Sequence, residues 1–298
     1  MADANTPEGF NERRVSANGV EFVCWEAGDP SGPLALCLHG FPDTAYTWRH
    51  LLPLLAEAGF HAVAPYMRGY APTEVPADGR YQSGVLGVDA NARHAALGGD
   101  ERAVLIGHDW GAAGVYAAAT LEPANWRKVV AMSVPGANAV PVAFLTQPQQ
   151  LKLSWYMFFF QSPLSDIVVP ANDMAFIDML WEDWSPGYDA THDLVQLKRA
   201  LADPAHLAAA LGYYRATLGD GFKDPALDAA QAATQAVPTQ PTLYLHGRND
   251  GCIGASVAEH MAAVVPAHVT IEFIEDAGHF LQLEQPAVVN ERILAFLR

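Results

Sequence analysis

Apolar residues in this chain come in short unbroken runs, separated by stretches in which they recur every three or four positions. The runs at residues 34–38, 61–65, 129–134, 242–246 and 269–274, and another beginning at Val104, predict strands buried on both faces. Residues 44–58 carry Trp48, Leu51, Leu52 and Leu55 at helical spacing, and the pattern predicts further helices over 85–97, 112–120, 255–264 and 286–297. Ahead of these, residues 15–18 and 20–27 flank Asn18-Gly19, a pair that favours a two-residue hairpin turn, so an antiparallel pair is expected to open the chain. Strands alternating with helices imply an α/β fold with a mostly parallel central sheet and helices on both faces.

The alternation stops near Pro135. From there to Val237 the pattern is helical and rich in aromatics, and Pro163, Pro170, Pro186, Pro204 and Pro225 divide it into short helices. The chain therefore reads as a first part of the core over 1–136, an inserted helical cap over 137–237 and a second part of the core over 238–298. Helices inserted above the strand ends would exclude water and form a pocket. The alanine-rich stretch 228–236 is expected to be the return connection.

Residues 104–111, Val-Leu-Ile-Gly-His-Asp-Trp-Gly, read as strand, sharp turn and the start of a helix. A side chain at the centre of such a turn is lifted off the end of the sheet in a strained conformation, tolerable only beside small neighbours. Gly107 and Gly111 are small, and the residue displayed between them is Asp109. A serine there would attack a carbonyl. An aspartate brings its own carbonyl, so it must attack a saturated carbon bearing a leaving group, in an epoxide or an alkyl halide. Water must then attack the resulting ester, which requires a base and an oxyanion hole.

Two further residues follow in the order nucleophile, acid, histidine. Asp250, in His246-Gly247-Arg248-Asn249-Asp250, and His279, in Asp276-Ala277-Gly278-His279-Phe280, fall in loops after the resumed strands. Those loops belong to the sheet edge that carries Asp109, where parallel sheets bind ligands. His279 is the candidate base and Asp250 the carboxylate that orients it, with Glu275 or Asp276 as alternatives to Asp250. The loop His39-Gly40-Phe41-Pro42 reaches the same edge. The backbone N–H groups of Phe41 and Trp110 are therefore candidates for the oxyanion hole, while Pro42 has none to offer.

These motifs together resemble the α/β-hydrolase fold epoxide hydrolases over residues 20–298: His39-Gly40-Phe41-Pro42, Gly107-His108-Asp109-Trp110-Gly111, the Asp250 loop and Ala277-Gly278-His279-Phe280. In that family two cap tyrosines hold the epoxide oxygen. The resemblance carries this role to Tyr156, in Ser154-Trp155-Tyr156-Met157, and to Tyr214, in Gly212-Tyr213-Tyr214-Arg215, where Tyr213 could exchange with Tyr214. A phenol with a pKa of about 10 stays protonated at neutral pH yet can protonate an alkoxide. The loop after 61–65 departs from the commoner Asp-Met-Arg-Gly-Tyr-Gly, with Tyr66 in place of the acid and Ala71 in place of the second glycine. His39, Pro42, Trp155, Phe159 and Phe280 are expected around the substrate pocket, His39 and His108 also as hydrogen-bonded structural residues. Trp181-Glu182-Asp183-Trp184 reads as a solvated helix face with aromatic anchors.

A formal net charge of -16, with 17 Lys and Arg in all, argues against nucleic acid as a partner. Cys24, Cys37 and Cys252 are too few and too scattered for a disulfide framework and read as core thiols. No HExxH or paired Cys/His spacing suggests a metal, and the chemistry needs no cofactor. Residues 1–14 lack the apolar run of a secretory signal, and the cluster 155–160 is far shorter than the ~20 residues of a membrane helix. The expectation is a cytoplasmic enzyme without a membrane partner, with a homodimer possible. It would convert a small apolar epoxide to a vicinal diol through a covalent aspartyl ester. A haloalkane dehalogenase shares the Asp109, Asp250, His279 logic, and a non-catalytic binding protein on the same fold is the alternative from another class.

Overall fold

A computed structural model describes residues 9–298; the first eight, and with them part of the N-terminal stretch read above, lie outside the described residues. Strands β1 (Asn11–Ala17) and β2 (Val20–Ala27) form the expected hairpin, with Asn18 at φ 47 and Gly19 at φ 73 as its two-residue turn requires. The strands β3 (Leu34–Leu38), β4 (His61–Pro65), β5 (Val104–His108), β6 (Lys128–Met132), β7 (Thr242–Gly247) and β8 (Val269–Ile274) complete one sheet. Its order is β1-β2-β4-β3-β5-β6-β7-β8. β2 pairs antiparallel with β1 and β4; the other pairings are parallel. Every residue of β3, β4, β5 and β7 is buried, which explains their unbroken apolar runs, whereas the edge strands β1 and β8 are partly exposed.

The chain leaves β3 for β4 on one side and returns to β5 on the other. The loops after β3 and β5 therefore diverge and open a crevice above the sheet, the usual ligand position in such folds. The strand ends of β7 and β8 lie along the same edge because all four strands run parallel.

Two elements differ from the sequence reading. Residues 44–58 form a 3-10 turn, Ala45–Trp48, and a separate helix, Leu52–Glu57, because Pro53 lacks an N–H and favours the first turn of a new helix. Trp48, Leu51, Leu52 and Leu55 are nonetheless all buried. β6 stops at Met132, since Ser133 takes a left-handed conformation at φ 65.

Between β6 and β7 the described residues form helices and no strand. The last of these, Asp228–Ala233, packs on the core helices Gly84–Ala96 and Trp110–Leu121 so closely that a Cβ on Gly84 would overlap the backbone of Gln231. The stretch expected to be only a return connection thus covers part of the core. Among the described residues no helix is long and apolar enough to cross a membrane.

The helical segment is tied directly to the sheet loops. The Trp184 carbonyl, at the end of helix Ala171–Trp184, accepts the N–H groups of Gly251 (3.1 Å) and His279 (3.0 Å). A Cβ on Gly251 would strike the Asp183 carbonyl oxygen, and one on Gly278 would lie 2.5 Å from the Trp184 carbonyl oxygen. Gln150 holds the same loop from another helix, donating to the Cys252 carbonyl and accepting from the Gly254 N–H, both at 2.9 Å.

The bend after β5 is tightly packed. Asp109 sits at φ 53, ψ -119. A Cβ on Gly107 would overlap the Gly111 carbonyl, and one on Gly111 the Leu38 carbonyl. Gly107→Ala and Gly111→Ala should each destabilise the protein by about 1–3 kcal/mol or more in urea unfolding, since the obstacle is backbone. Gly254→Ala, whose Cβ meets only ordinary contacts, should stay within about 0.5 kcal/mol of the parent.

Candidate active site

Asp109 is almost wholly buried, and its Oδ1 accepts the Phe41 N–H at 2.7 Å. This contact exists because Gly40 has no side chain: a Cβ there would overlap Asp109 Oδ1 and lie 2.6 Å from the Trp110 nitrogen. The Phe41 amide thus donates to the carboxylate, and the Trp110 nitrogen lies close to the same loop. His39 holds the loop in place. Its Nδ1 donates to the Gly40 carbonyl and its Nε2 accepts the Met67 N–H, both at 2.9 Å. Burial pushes its pKa down to about 3, so it stays neutral and can keep both bonds.

His279 lies beside Asp109, its Nε2 3.7 Å from Oδ2. Its Nδ1 donates to Asp250 Oδ2 at 3.0 Å, and Asp250 Oδ1 accepts the N–H groups of Cys252 (2.8 Å) and Ile253 (2.9 Å). Burial alone would raise the Asp250 pKa, but His279 and these hydrogen bonds outweigh it and hold the carboxylate below its ordinary range. Asp250 is therefore the carboxylate on His279. The alternatives Glu275 and Asp276 are exposed, Glu275 being paired with Arg248.

The His279 backbone is pinned as firmly as its ring. Its carbonyl accepts from Ser133 Oγ (2.7 Å) and His108 Nε2 (2.8 Å), while Glu284 accepts the Gly278 N–H at 2.7 Å. Burial would depress the imidazolium, but Cys252, Asp250 and Asp109 more than compensate and hold its pKa well above the ordinary histidine value. Burial pushes the Cys252 thiol up to about 11.

A cavity of about 230 Å³ opens beside Asp109 and Trp110. Its wall is mainly apolar, with Val140, Phe144, Met157, Leu218 and Ile253 contributing, and Tyr214 forms part of it. The Tyr214 hydroxyl is buried and makes no well-directed hydrogen bond among the described residues. Tyr213 points elsewhere, donating to the Arg68 carbonyl at 2.8 Å, because consecutive helical residues project about 100° apart. Tyr156 is fully buried with its ring 5.7 Å from that of Tyr214 and its hydroxyl 3.2 Å from Cys252 Sγ. Burial raises both the Tyr156 and Tyr214 pKa values well above the usual phenol range, so both remain protonated.

Neither Tyr156 nor the expected pocket residues line this cavity. His39 is occupied by backbone bonds, and the Pro42 carbonyl accepts Trp181 Nε1 at 2.9 Å. Phe280 stacks on Trp181 at 3.6 Å. Helical spacing explains the rest. In helix Trp155–Phe159, Tyr156 shares a face with Phe160, whereas Trp155 shares one with Phe159 and packs on Phe176. Met157, which carried no signal in the sequence, reaches the cavity instead. The tetrad at 181–184 is as expected: Glu182 and Asp183 are exposed and the tryptophans are buried, Trp184 against Tyr156 (4.7 Å) and His279 (5.1 Å). Trp184, Cys252, Ser133 and Glu284 had no recognisable spacing, since each is brought in from a separate element.

The α/β hydrolase fold family profile matches residues 33–286. Epoxide hydrolase A of Mycobacterium tuberculosis is 30% identical over 331 residues, covering 96% of this chain and 97% of the relative. The chain belongs to the α/β-hydrolase fold epoxide hydrolase family. The AB hydrolase superfamily protein YfhM of Bacillus subtilis is 29% identical over 294 residues, covering 98% of this chain and 99% of its own. A crystal structure of Bacillus megaterium epoxide hydrolase in complex with an inhibitor superposes with a TM-score of 0.79 at 26% identity, covering 96% and 99% of the two chains. Membership of this epoxide hydrolase family makes the chain a hydrolase.

The electrostatics around His279 can be tested directly. Asp109→Asn removes one of the two carboxylates facing His279, so the imidazolium loses stabilisation and its pKa should fall. Titration of the His279 ring by NMR in parent and variant measures the shift; an unchanged pKa would mean that the two side chains do not interact.

Proposed function

We propose that the protein hydrolyses epoxides to vicinal diols through a covalent ester on Asp109. One arrangement carries this reading: a carboxylate beside an apolar cavity, with a tyrosine hydroxyl that makes no well-directed hydrogen bond in the wall of the same cavity. Phe41 occupies Asp109 Oδ1, leaving Oδ2 to attack a ring carbon as the C–O bond breaks. The ring oxygen needs a proton, and Tyr156 and Tyr214 supply hydrogen-bond donors for it. The helices over residues 137–237 act as the cap, keeping bulk water from the cavity.

Ester formation neutralises Asp109 and so removes a charge that raises the His279 pKa. The imidazole thereby becomes free to take a proton from water, with Asp250 stabilising the imidazolium. Hydroxide attacks the ester carbonyl, whose oxygen would face the Phe41 and Trp110 N–H groups. Each such donor is worth roughly 3–4 kcal/mol in the transition state.

Trp110 Nε1, buried and without a partner among the described residues, supports a second reading, haloalkane dehalogenation, because an indole N–H can hold a departing halide. A halide needs no proton, so the tyrosines separate the two reactions. Tyr214→Phe should lower epoxide turnover by about a hundredfold while Tyr213→Phe changes it little. Halide release surviving Tyr214→Phe, with no diol formed by the parent, would favour the second reading.

His279→Gln should accumulate a covalent adduct on the peptide containing Asp109 after mixing with styrene oxide, read by mass spectrometry. An unmodified peptide despite substrate binding would count against the ester. In the parent enzyme, hydrolysis needs neutral His279 and ring opening does not. Lowering the pH through the pKa of His279 in the ester state should therefore stall turnover and leave ester on Asp109. Turnover that stays constant across that range would remove His279 as the base.

A further inference from the structure

Tyr156 and Tyr214 are chemically unequal. The Tyr156 hydroxyl lies 3.2 Å from Cys252 Sγ, whereas the Tyr214 hydroxyl makes no well-directed hydrogen bond among the described residues and interacts with the Tyr156 side chain alongside it. Cys252 is fully buried and its backbone is held at both ends, the N–H by Asp250 Oδ1 at 2.8 Å and the carbonyl by Gln150 Nε2 at 2.9 Å. Its Sγ, a His279 ring nitrogen and an Asp250 carboxylate oxygen all lie within 4.8 Å of one another. A side chain that merely filled this space would need no polar atom. This one turns its sulfur to the tyrosine hydroxyl and lies beside the imidazole.

We propose that Cys252 is a positioning residue for the acid of ring opening: its S–H donates to the Tyr156 oxygen as that phenol passes its proton to the epoxide. Tyr156 is then the tyrosine that gives up a proton, and Tyr214 the one that donates a hydrogen bond and keeps its own. This rests on the epoxide hydrolase reading. In the step, a bond forms from Asp109 Oδ2 to the ring carbon, the ring C–O bond breaks, and the Tyr156 proton moves to the ring oxygen. The negative charge that began on Asp109 ends on the Tyr156 oxygen. A phenolate buried without a donor would bear its full desolvation cost, and the thiol supplies that donor at Tyr156. The thiol is pushed up to about 11 by burial, so it carries its proton at neutral pH. Ester hydrolysis later places a proton from water on His279. Cys252 adjoins both groups, so that proton can return to Tyr156 within the site.

The test is single-turnover ester formation by the full-length protein, with styrene oxide as the probe and the Asp109 peptide quantified after acid quench. Cys252→Ala, and Cys252→Val as a space-filling variant without a donor, should slow ester formation about tenfold, the smaller end for a hydrogen bond to a charged oxygen. Cys252→Ser, which keeps a donor, should recover most of the rate. In a Tyr156→Phe background the loss of the thiol should cost nothing more; in a Tyr214→Phe background it should cost the same tenfold. Unchanged ester formation in both Cys252→Ala and Cys252→Val, or an equal loss in the Tyr156→Phe background, overturns the role of Cys252 alone. A parent enzyme that forms no ester with styrene oxide or with aliphatic epoxides overturns the epoxide hydrolase reading and this role together.

Discussion

The close approach of three backbone segments at the bend after β5 is the constraint on which the rest of the site depends. Leu38 at the end of β3, Gly40 in the loop beyond it and Gly107 to Gly111 around the bend leave no room for a Cβ at any of the three glycines. Only this spacing lets the Phe41 N–H reach Asp109 Oδ1 and puts the Trp110 nitrogen alongside. Holding Asp109 at φ 53, ψ -119 costs on the order of 1–3 kcal/mol, sustained because the surrounding strands and helix allow no other path. The strain has a use: it lifts a carboxylate clear of the sheet and points it into a cavity.

The second dependence runs between the sheet and the inserted helices. The Trp184 carbonyl accepts N–H groups from the loop that carries Asp250 and the loop that carries His279. Gln150, from a different helix, closes on the Asp250 loop as well. The helices over the strand ends therefore do more than roof a pocket: they supply hydrogen bonds that fix the acid and the histidine. Removing them would take these hydrogen bonds from both loops and open the loops to water.

Charge inside this enclosure is arranged around one imidazole. Asp250 holds His279 through Nδ1, and Asp109 faces it through Nε2. Because Asp109 is also the group that would be esterified, the proposed chemistry changes the basicity of its neighbour without any conformational step. The phenols behave in the opposite sense, burial keeping both protonated.

Much of this was legible in the chain. Unbroken apolar runs marked β3, β4, β5 and β7 because strands covered on both faces have no polar side. Gly-His-Asp-Trp-Gly announced the bend because few residues tolerate it, and the order Asp109, Asp250, His279 followed from strands whose carboxyl ends share an edge. The pocket lining was not legible: Trp155 and Phe159 looked the part, yet Met157 between them reaches the cavity. Periodicity can say which residues share a helix face, but not which face a helix turns inward. That choice, like the meeting of Cys252 with Tyr156 and of Trp184 with His279, joins residues far apart in the chain. Local sequence determined the strands and the bend, because each depends on near neighbours. The tertiary structure decided which tyrosine faces the cavity, which carboxylate meets the imidazole and what lines the pocket, because these depend on how separate elements pack.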